Sequence, residues 1–410
     1  MDKASVSDGA SFMVRYSRAA GLLALLIGSW PCASVAQLAA TPHAAVDVEH
    51  NSNVFDLSSS GAAPAGKNGA TFGDTTTQLR AGVDGTYLLS QQKFFAVAEV
   101  RHIDYQNFTS LSHNEETLNT GLSWTVSRIL DGKLDYLYEQ RMVQFMDLAA
   151  STALILETEN RARASANVKF TPEWRLDSMF TDRILNSPRN DVPALSLHED
   201  SIHEAVRYLG VANLAAGVDV EYLSGTYRHD SIALNPKYDQ TTVALAGTYV
   251  ISGLTDFKGA IGYTRRNDQS TTGGQSALTG NLDYRRALTP KTTLDLNLNR
   301  AVNSYLTTGG NELDTTAGFT VAWQATYKTT VKVGYSWTNS SFSQSAVNGQ
   351  DTRVDHFQAA NAELNYLVLR WLSIRPYARY LTRSSSQGLF DFNGTIVGIE
   401  IQAKPPERKR

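Results

Sequence analysis

The chain has 410 residues, 37 basic and 40 acidic, for a formal net charge of −3. That balance excludes nucleic-acid binding, which calls for a strong basic excess. Cys32 is the only cysteine, so no internal disulfide can hold the fold, and a secreted form must rest on its sheet alone.

The N-terminus reads as a secretory signal peptide, residues 1–36. Arg15 and Arg18 supply positive charge, Ala19 to Ser29 the apolar stretch, and Ser34, Val35 and Ala36 the small residues at the cleavage position. Asp2 and Asp8 are unusual so early in such a segment, and Met13 offers an alternative start. Cleavage puts the mature start at Gln37, removes Cys32 and leaves a mildly acidic chain. After this segment no apolar run is long enough for a membrane helix.

A first strand is expected over about 44–55. Then, from Thr75 to Arg383, one unit recurs eight times: a long alternating strand, a short turn, another long strand. The period-2 pattern places these hairpins at about 75–88/94–107, 115–127/133–145, 157–170/175–187 and 200–209/215–227. The remaining four fall at about 238–250/255–266, 276–287/293–305, 312–324/329–341 and 355–368/373–384. A last strand follows at about 391–403, giving 18 strands, with a basic tail at 404–410.

Alternation is plain where Val331, Val333, Tyr335 and Trp337 are spaced by Lys332, Gly334 and Ser336. Strands of a soluble sandwich run about 5–6 residues. These run to about 10–13, enough to cross a bilayer at a tilt. Short turns at one end, longer polar loops at the other and an even strand count are the features of an outer-membrane barrel. The predicted fold is therefore all-β: one transmembrane antiparallel up-and-down barrel over 37–403, with short periplasmic turns and longer extracellular loops. A propeller of similar repeat length would need four short strands per repeat, where this chain offers two long ones. Aromatics such as Tyr87, Trp124 and Trp371 near the turns, and Tyr105, Tyr263 and Trp337 towards the loops, fit two interfacial girdles.

The residues opposite the apolar face should line the lumen, because a mid-plane Arg or Lys facing lipid costs about 2–4 kcal/mol. The lumen-lining candidates are Arg80, Asp84, Glu99, Arg101, Glu139, Arg141, Glu159, Arg161, Arg163 and Arg175, with Arg375, Arg379 and Arg383 on one late strand. Such groups either bind a hydrophilic solute or brace the wall as salt bridges. The last three are expected to form a basic strip facing a pathway, with Glu363 as the nearest acid. The barrel would be roughly 30 Å across between backbones, wide enough for a channel unless a loop folds inward.

No residues carry a catalytic signature. His198 and His203 look metal-like but are five apart where loop meets strand, so they lack the helical geometry of a zinc motif and read as a solvated rim. No nucleophile elbow or phosphate loop occurs, so no enzyme activity, cofactor or metal is expected.

Gly394, Val397, Ile399 and Ile401 resemble the C-terminal assembly signal of outer-membrane proteins, though the usual terminal aromatic is missing. The hairpin series, with turns such as Phe170–Leu176 and Leu288–Leu294, and the mature opening His50–Phe55 resemble the EpsL-type outer-membrane barrels of exosortase-linked exopolysaccharide clusters. That resemblance implies an outer-membrane role in exporting an extracellular polysaccharide, with polysaccharide or oligosaccharide, outer-membrane lipid and periplasmic export proteins as partners. It brings no functional residues with it. A diffusion porin for small sugars or other hydrophilic solutes is the alternative, and a surface adhesion barrel with a plugged lumen is a third.

Overall fold

The structure is a computed structural model that describes residues 37–59, 62–147, 152–187, 196–227, 237–269, 274–305, 310–343 and 353–406. The proposed signal segment and the last four residues of the basic tail lie outside the described residues.

Strand β1 (Gln37–Asn51) opens the sheet, and a two-residue hairpin, β2 (Ala65–Gly66) and β3 (Gly69–Ala70), sits in the loop after it. The first half of the wall is β4 (Asp74–Leu89), β5 (Gln92–Tyr105), β6 (His113–Ser127), β7 (Leu130–Met142), β8 (Leu156–Lys169) and β9 (Trp174–Asn186). It continues through β10 (Leu197–Val211), β11 (Leu214–Tyr227), β12 (Lys237–Ser252), β13 (Thr255–Asp268), β14 (Gln275–Thr289) and β15 (Thr292–Tyr305). It ends with β16 (Gly310–Gln324), β17 (Thr329–Ser343), β18 (Val354–Leu369), β19 (Leu372–Ser385) and β20 (Phe392–Ala403). Every neighbour in this 18-stranded sheet is antiparallel, and β1 pairs with both β4 and β20. The sheet is a closed up-and-down barrel in which every strand has a neighbour on each side, which is how strands satisfy their backbone groups in lipid.

The first strand differs from the expected span. It begins at Gln37 and ends at Asn51, because Val54 and Phe55 leave the ladder and bury in a loop cluster, at 8% and 3% exposure. Asn53 fixes that departure by donating from Nδ2 to Leu57 O and Asn393 O at 2.8 and 3.0 Å. Residues 37–43 pair with β4 only, so Pro42 lies where one side of the strand has no neighbour to bond. The turns are also tighter than the expected ones: β6 and β7 are joined by Arg128 and Ile129 alone, and β4 and β5 by Ser90 and Gln91, with Ser90 at φ 55°.

Outward positions carry the apolar residues. Val48, Val100, Val218, Leu245, Ile261 and Ile399 stand exposed on the outer wall. No water-soluble monomer presents such a belt, and strands of this length match the hydrocarbon thickness of a bilayer. The chain is an outer-membrane β-barrel.

Candidate functional site

The inner wall is a band of paired charges. Arg80 on β4 reaches across β1 to Glu400 on β20 at 2.6 Å. It can do so because the intervening lumen residue is the small, buried Ala45, which pairs with Arg80. The chain of contacts runs on: Lys332 to Glu363 at 2.8 Å, Glu363 to Arg375 at 3.5 Å and Arg375 to Glu400 at 3.1 Å. From Arg80 it passes to Glu99 at 3.8 Å, then to Arg101 at 3.9 Å and from there to Glu115 at 3.2 Å. A second group joins Arg141 to Glu157 at 2.8 Å, Glu139 at 3.1 Å and Glu159 at 3.9 Å. Glu159 also meets Arg161 at 3.4 Å and Arg183 at 3.3 Å, and Arg183 reaches Glu199 at 2.9 Å. Lower down, Arg175 meets Asp177 at 2.6 Å, and Asp84 accepts from Lys404 of the tail at 2.7 Å. Part-exposed pairs of this kind are worth only about 0–1 kcal/mol each. Stripping one partner from a buried acid such as Glu400 or Glu159 is the costly change.

Three predicted residues stand outside this pattern. Arg163 forms no ion pair among the described residues, and its Nε has no hydrogen-bond partner. Arg379 lies over the Tyr377 ring at 5.2 Å. Arg383 is buried, so Arg375, Arg379 and Arg383 do not form one exposed basic strip. The guanidinium of Arg383 donates to Phe390 O at 2.6 Å and to Met146 O at 2.7 Å.

That last bond locates a constriction. Met146 belongs to the loop between β7 and β8, while Arg383 is on β19, on the other side of β20, β1, β4, β5 and β6. Residues 143–147 of that loop must therefore extend inward across the outer mouth. Its apolar residues make the move favourable: Val143, Phe145 and Ile155 pack with Val54, Phe55, Phe108 and Leu111 from two other loops, over Ile103 and Tyr105 of β5. Phe55 meets Phe108 and Phe145 edge-on at 4.7 and 4.8 Å.

A second inward element comes from β15 and β16. The β14–β15 ladder ends at the pair Gly280 and Arg300, although both strands continue. Beyond that point β15 leans over the lumen face of the preceding strands. Ser304 donates to the Tyr238 hydroxyl at 2.8 Å and accepts from Arg266 Nη1 at 2.9 Å, and Asn311 Nδ2 donates to Asp268 at 2.8 Å. Tyr238 donates to Glu199, and the Arg266 guanidinium stacks 3.6 Å over the Tyr238 ring.

His198 and His203 do not meet. Five positions along a strand put side chains on opposite faces. His198 lies on the outer face against Asp182 at 2.9 Å and near Asp200 at 3.7 Å, and His203 lies in the lumen, 3.8 Å from Asp219. Among the lumen residues that reading the sequence missed are His43, Asp47, Glu49 and Tyr377. The Tyr377 hydroxyl lies 2.9 Å from Asp47 and 2.7 Å from Glu49, and His43 lies 3.2 Å from Glu99. Their signal was lumen-side parity: Asp47 and Glu49 lie in the expected first strand, His43 one residue before it, and Tyr377 between Arg375 and Arg379 on β19.

No protein-family model and no curated protein matches the sequence. Solved structures of similar shape exist. Acinetobacter baumannii OccAB2 is 13% identical, covering 90% of this chain and 98% of that one, with a TM-score of 0.48. Pseudomonas aeruginosa OccK2 (OpdF) is 12% identical over 89% and 98%, with a TM-score of 0.48. Pseudomonas aeruginosa OpdK, solved with vanillate, is 10% identical over 89% and 98%, with a TM-score of 0.46. At these levels the likeness concerns overall shape. The closed 18-stranded wall, its apolar exterior and its charged interior define a porin-like barrel of the outer membrane.

Proposed function

We propose that this barrel is a selective passage for small hydrophilic solutes. The observation that carries this reading is the narrowing of the outer mouth from two sides. Residues 143–147, which open the β7–β8 loop, reach across to Arg383, and the end of β15 covers the lumen face of β12 and β13. A channel narrowed this way sorts solutes by size and by their fit to the polar groups they pass. Unlike a rigid plug, both elements are held by a few polar contacts and one apolar cluster, so a path past them needs no unfolding of the wall.

Export of an extracellular polysaccharide, which the EpsL-type resemblance implies, is the second reading. Arg379 favours it: it makes no ion pair among the described residues, and a free lumen guanidinium beside Tyr377 can donate to sugar hydroxyls. Planar-bilayer conductance of the refolded protein, with sugars of increasing length added to either side, separates the two. Steady conductance with a size cutoff near one or two sugar rings supports the small-solute passage. A barrel that inserts and stays closed sinks it and leaves export awaiting periplasmic partners.

A further inference from the structure

Beneath the leaning end of β15 lies a cleft of about 260 Å³ on the lumen side of β10 to β15, where His203, Asp219, Glu221 and Arg300 stand among uncharged amides, hydroxyls and small side chains. That volume lies below the usual range for drug-sized ligands and suits a single small ring. The floor is small, with Ala244, Ala260 and Gly262, and Val302 of the leaning segment lines the opposite side. Three hydroxyls run through it as a chain: Thr242 to Thr264 at 2.9 Å, and Thr264 to Thr279 at 2.8 Å.

Around the hydroxyls stand amides with nothing to bond. Asn281 and Asn299 are direct cross-strand partners in the cleft, and Gln240 lines it from β12. Among the described residues none of these three side chains makes a hydrogen bond. Each offers one acceptor and two donors. The charges nearby are arranged to discourage anions. Asp219 is engaged by Arg207, whose Nη2 donates at 2.8 Å. Arg300 is also engaged, donating to Leu278 O at 3.0 Å and Thr315 at 2.6 Å. Glu221 has no ion-pair partner among the described residues and remains in the cleft as a bare carboxylate.

From this arrangement we infer that the cleft is a binding site for a neutral, polyhydroxylated solute of one ring, that is, a monosaccharide or cyclic polyol. Hydroxyl groups donate to Glu221 and to the amide oxygens, and accept from the amide NH₂ groups and the threonine chain. An anionic sugar places its carboxylate beside Glu221. The inference rests on the small-solute reading of the barrel and names its solute class.

Equilibrium dialysis of the refolded barrel in detergent against labelled D-glucose and D-glucuronate tests the site without requiring current flow. Saturable retention of D-glucose is expected, with weaker retention of D-glucuronate. The N281L/N299L double variant should lower glucose retention about ten-fold or more, the loss of two ordinary hydrogen bonds. E221Q should narrow the preference for the neutral sugar. Heat-modifiable gel migration checks folding, and Asn281→Ala replaces the double variant if the latter fails to fold. Equal retention by wild type and the asparagine variants, or retention of glucuronate at least as strong as glucose, overturns the site. Glucose retention with a closed barrel in the bilayer would reject the open-passage reading and keep the cleft.

Discussion

Replacing Arg383 with Met keeps the length and apolar contact of the side chain and removes its donors. In the folded protein the guanidinium holds two backbone carbonyls, Phe390 O and Met146 O, and packs on Phe390 and Phe392 at 5.5 and 4.9 Å. Met retains contact with those rings. Asp355 stays satisfied, since Arg353 is 3.2 Å away and Ser385 donates to it at 2.6 Å. The wall should therefore assemble, and the loss falls on the β7–β8 loop. One hydrogen bond from a charged donor is worth about 1.5–3 kcal/mol, which is roughly a 10- to 150-fold change in the ratio of docked to undocked loop. The apolar cluster around Phe145 persists, so the loop is loosened and not released. Single-channel recording at fixed voltage reads this as more frequent entries to a higher-conductance level. Unchanged conductance and gating in a variant that migrates as a folded barrel would refute the claim that Arg383 restrains the constriction.

Other changes probe the remaining parts of the argument. Ser304→Ala removes the hydroxyl between Tyr238 and Arg266, and should raise the time spent at higher conductance by about thirty-fold or more, as one neutral and one charged hydrogen bond together predict; a variant with wild-type gating would mean the end of β15 is held by other contacts. Glu99→Gln deletes the acid shared by His43, Arg80 and Arg101, so the reversal potential in a KCl gradient should move toward anion preference. Val218→Arg, on the outer belt, should destabilise the barrel by about 2–4 kcal/mol in urea unfolding from lipid if that residue is at mid-membrane depth. Thr242→Arg, which faces the lumen opposite Glu221, should leave the unfolding midpoint nearly unchanged and reduce conductance.

The sequence by itself determined the architecture. Strand alternation, short turns and longer loops specify which face meets lipid, because a one-residue slip would turn every lumen charge outward. The hairpins from Thr75 onward therefore stand close to where alternation puts them, and Gly394 to Ile401 forms the closing strand. Alternation also separates His198 from His203, a consequence of strand period alone. The exception was β1, where Val54 and Phe55 continue an apolar pattern that the chain uses for a loop core instead.

Only the tertiary structure decided what the lumen charges do and where the channel narrows. Arg80 meets Glu400 because closure brings β20 and β4 to either side of β1, and nothing local links residues 320 positions apart. Arg383 has the same parity as Arg375 and Arg379, so sequence pattern groups the three. Its burial depends on a loop arriving from the far wall, 237 positions earlier in the chain. The cleft under β15 arises from a strand leaving its neighbour at Gly280 and Arg300, a departure that period-2 reading does not record. Alternation specifies a side chain's face; which partners it finds there is set by closure and by the loops that fold inward.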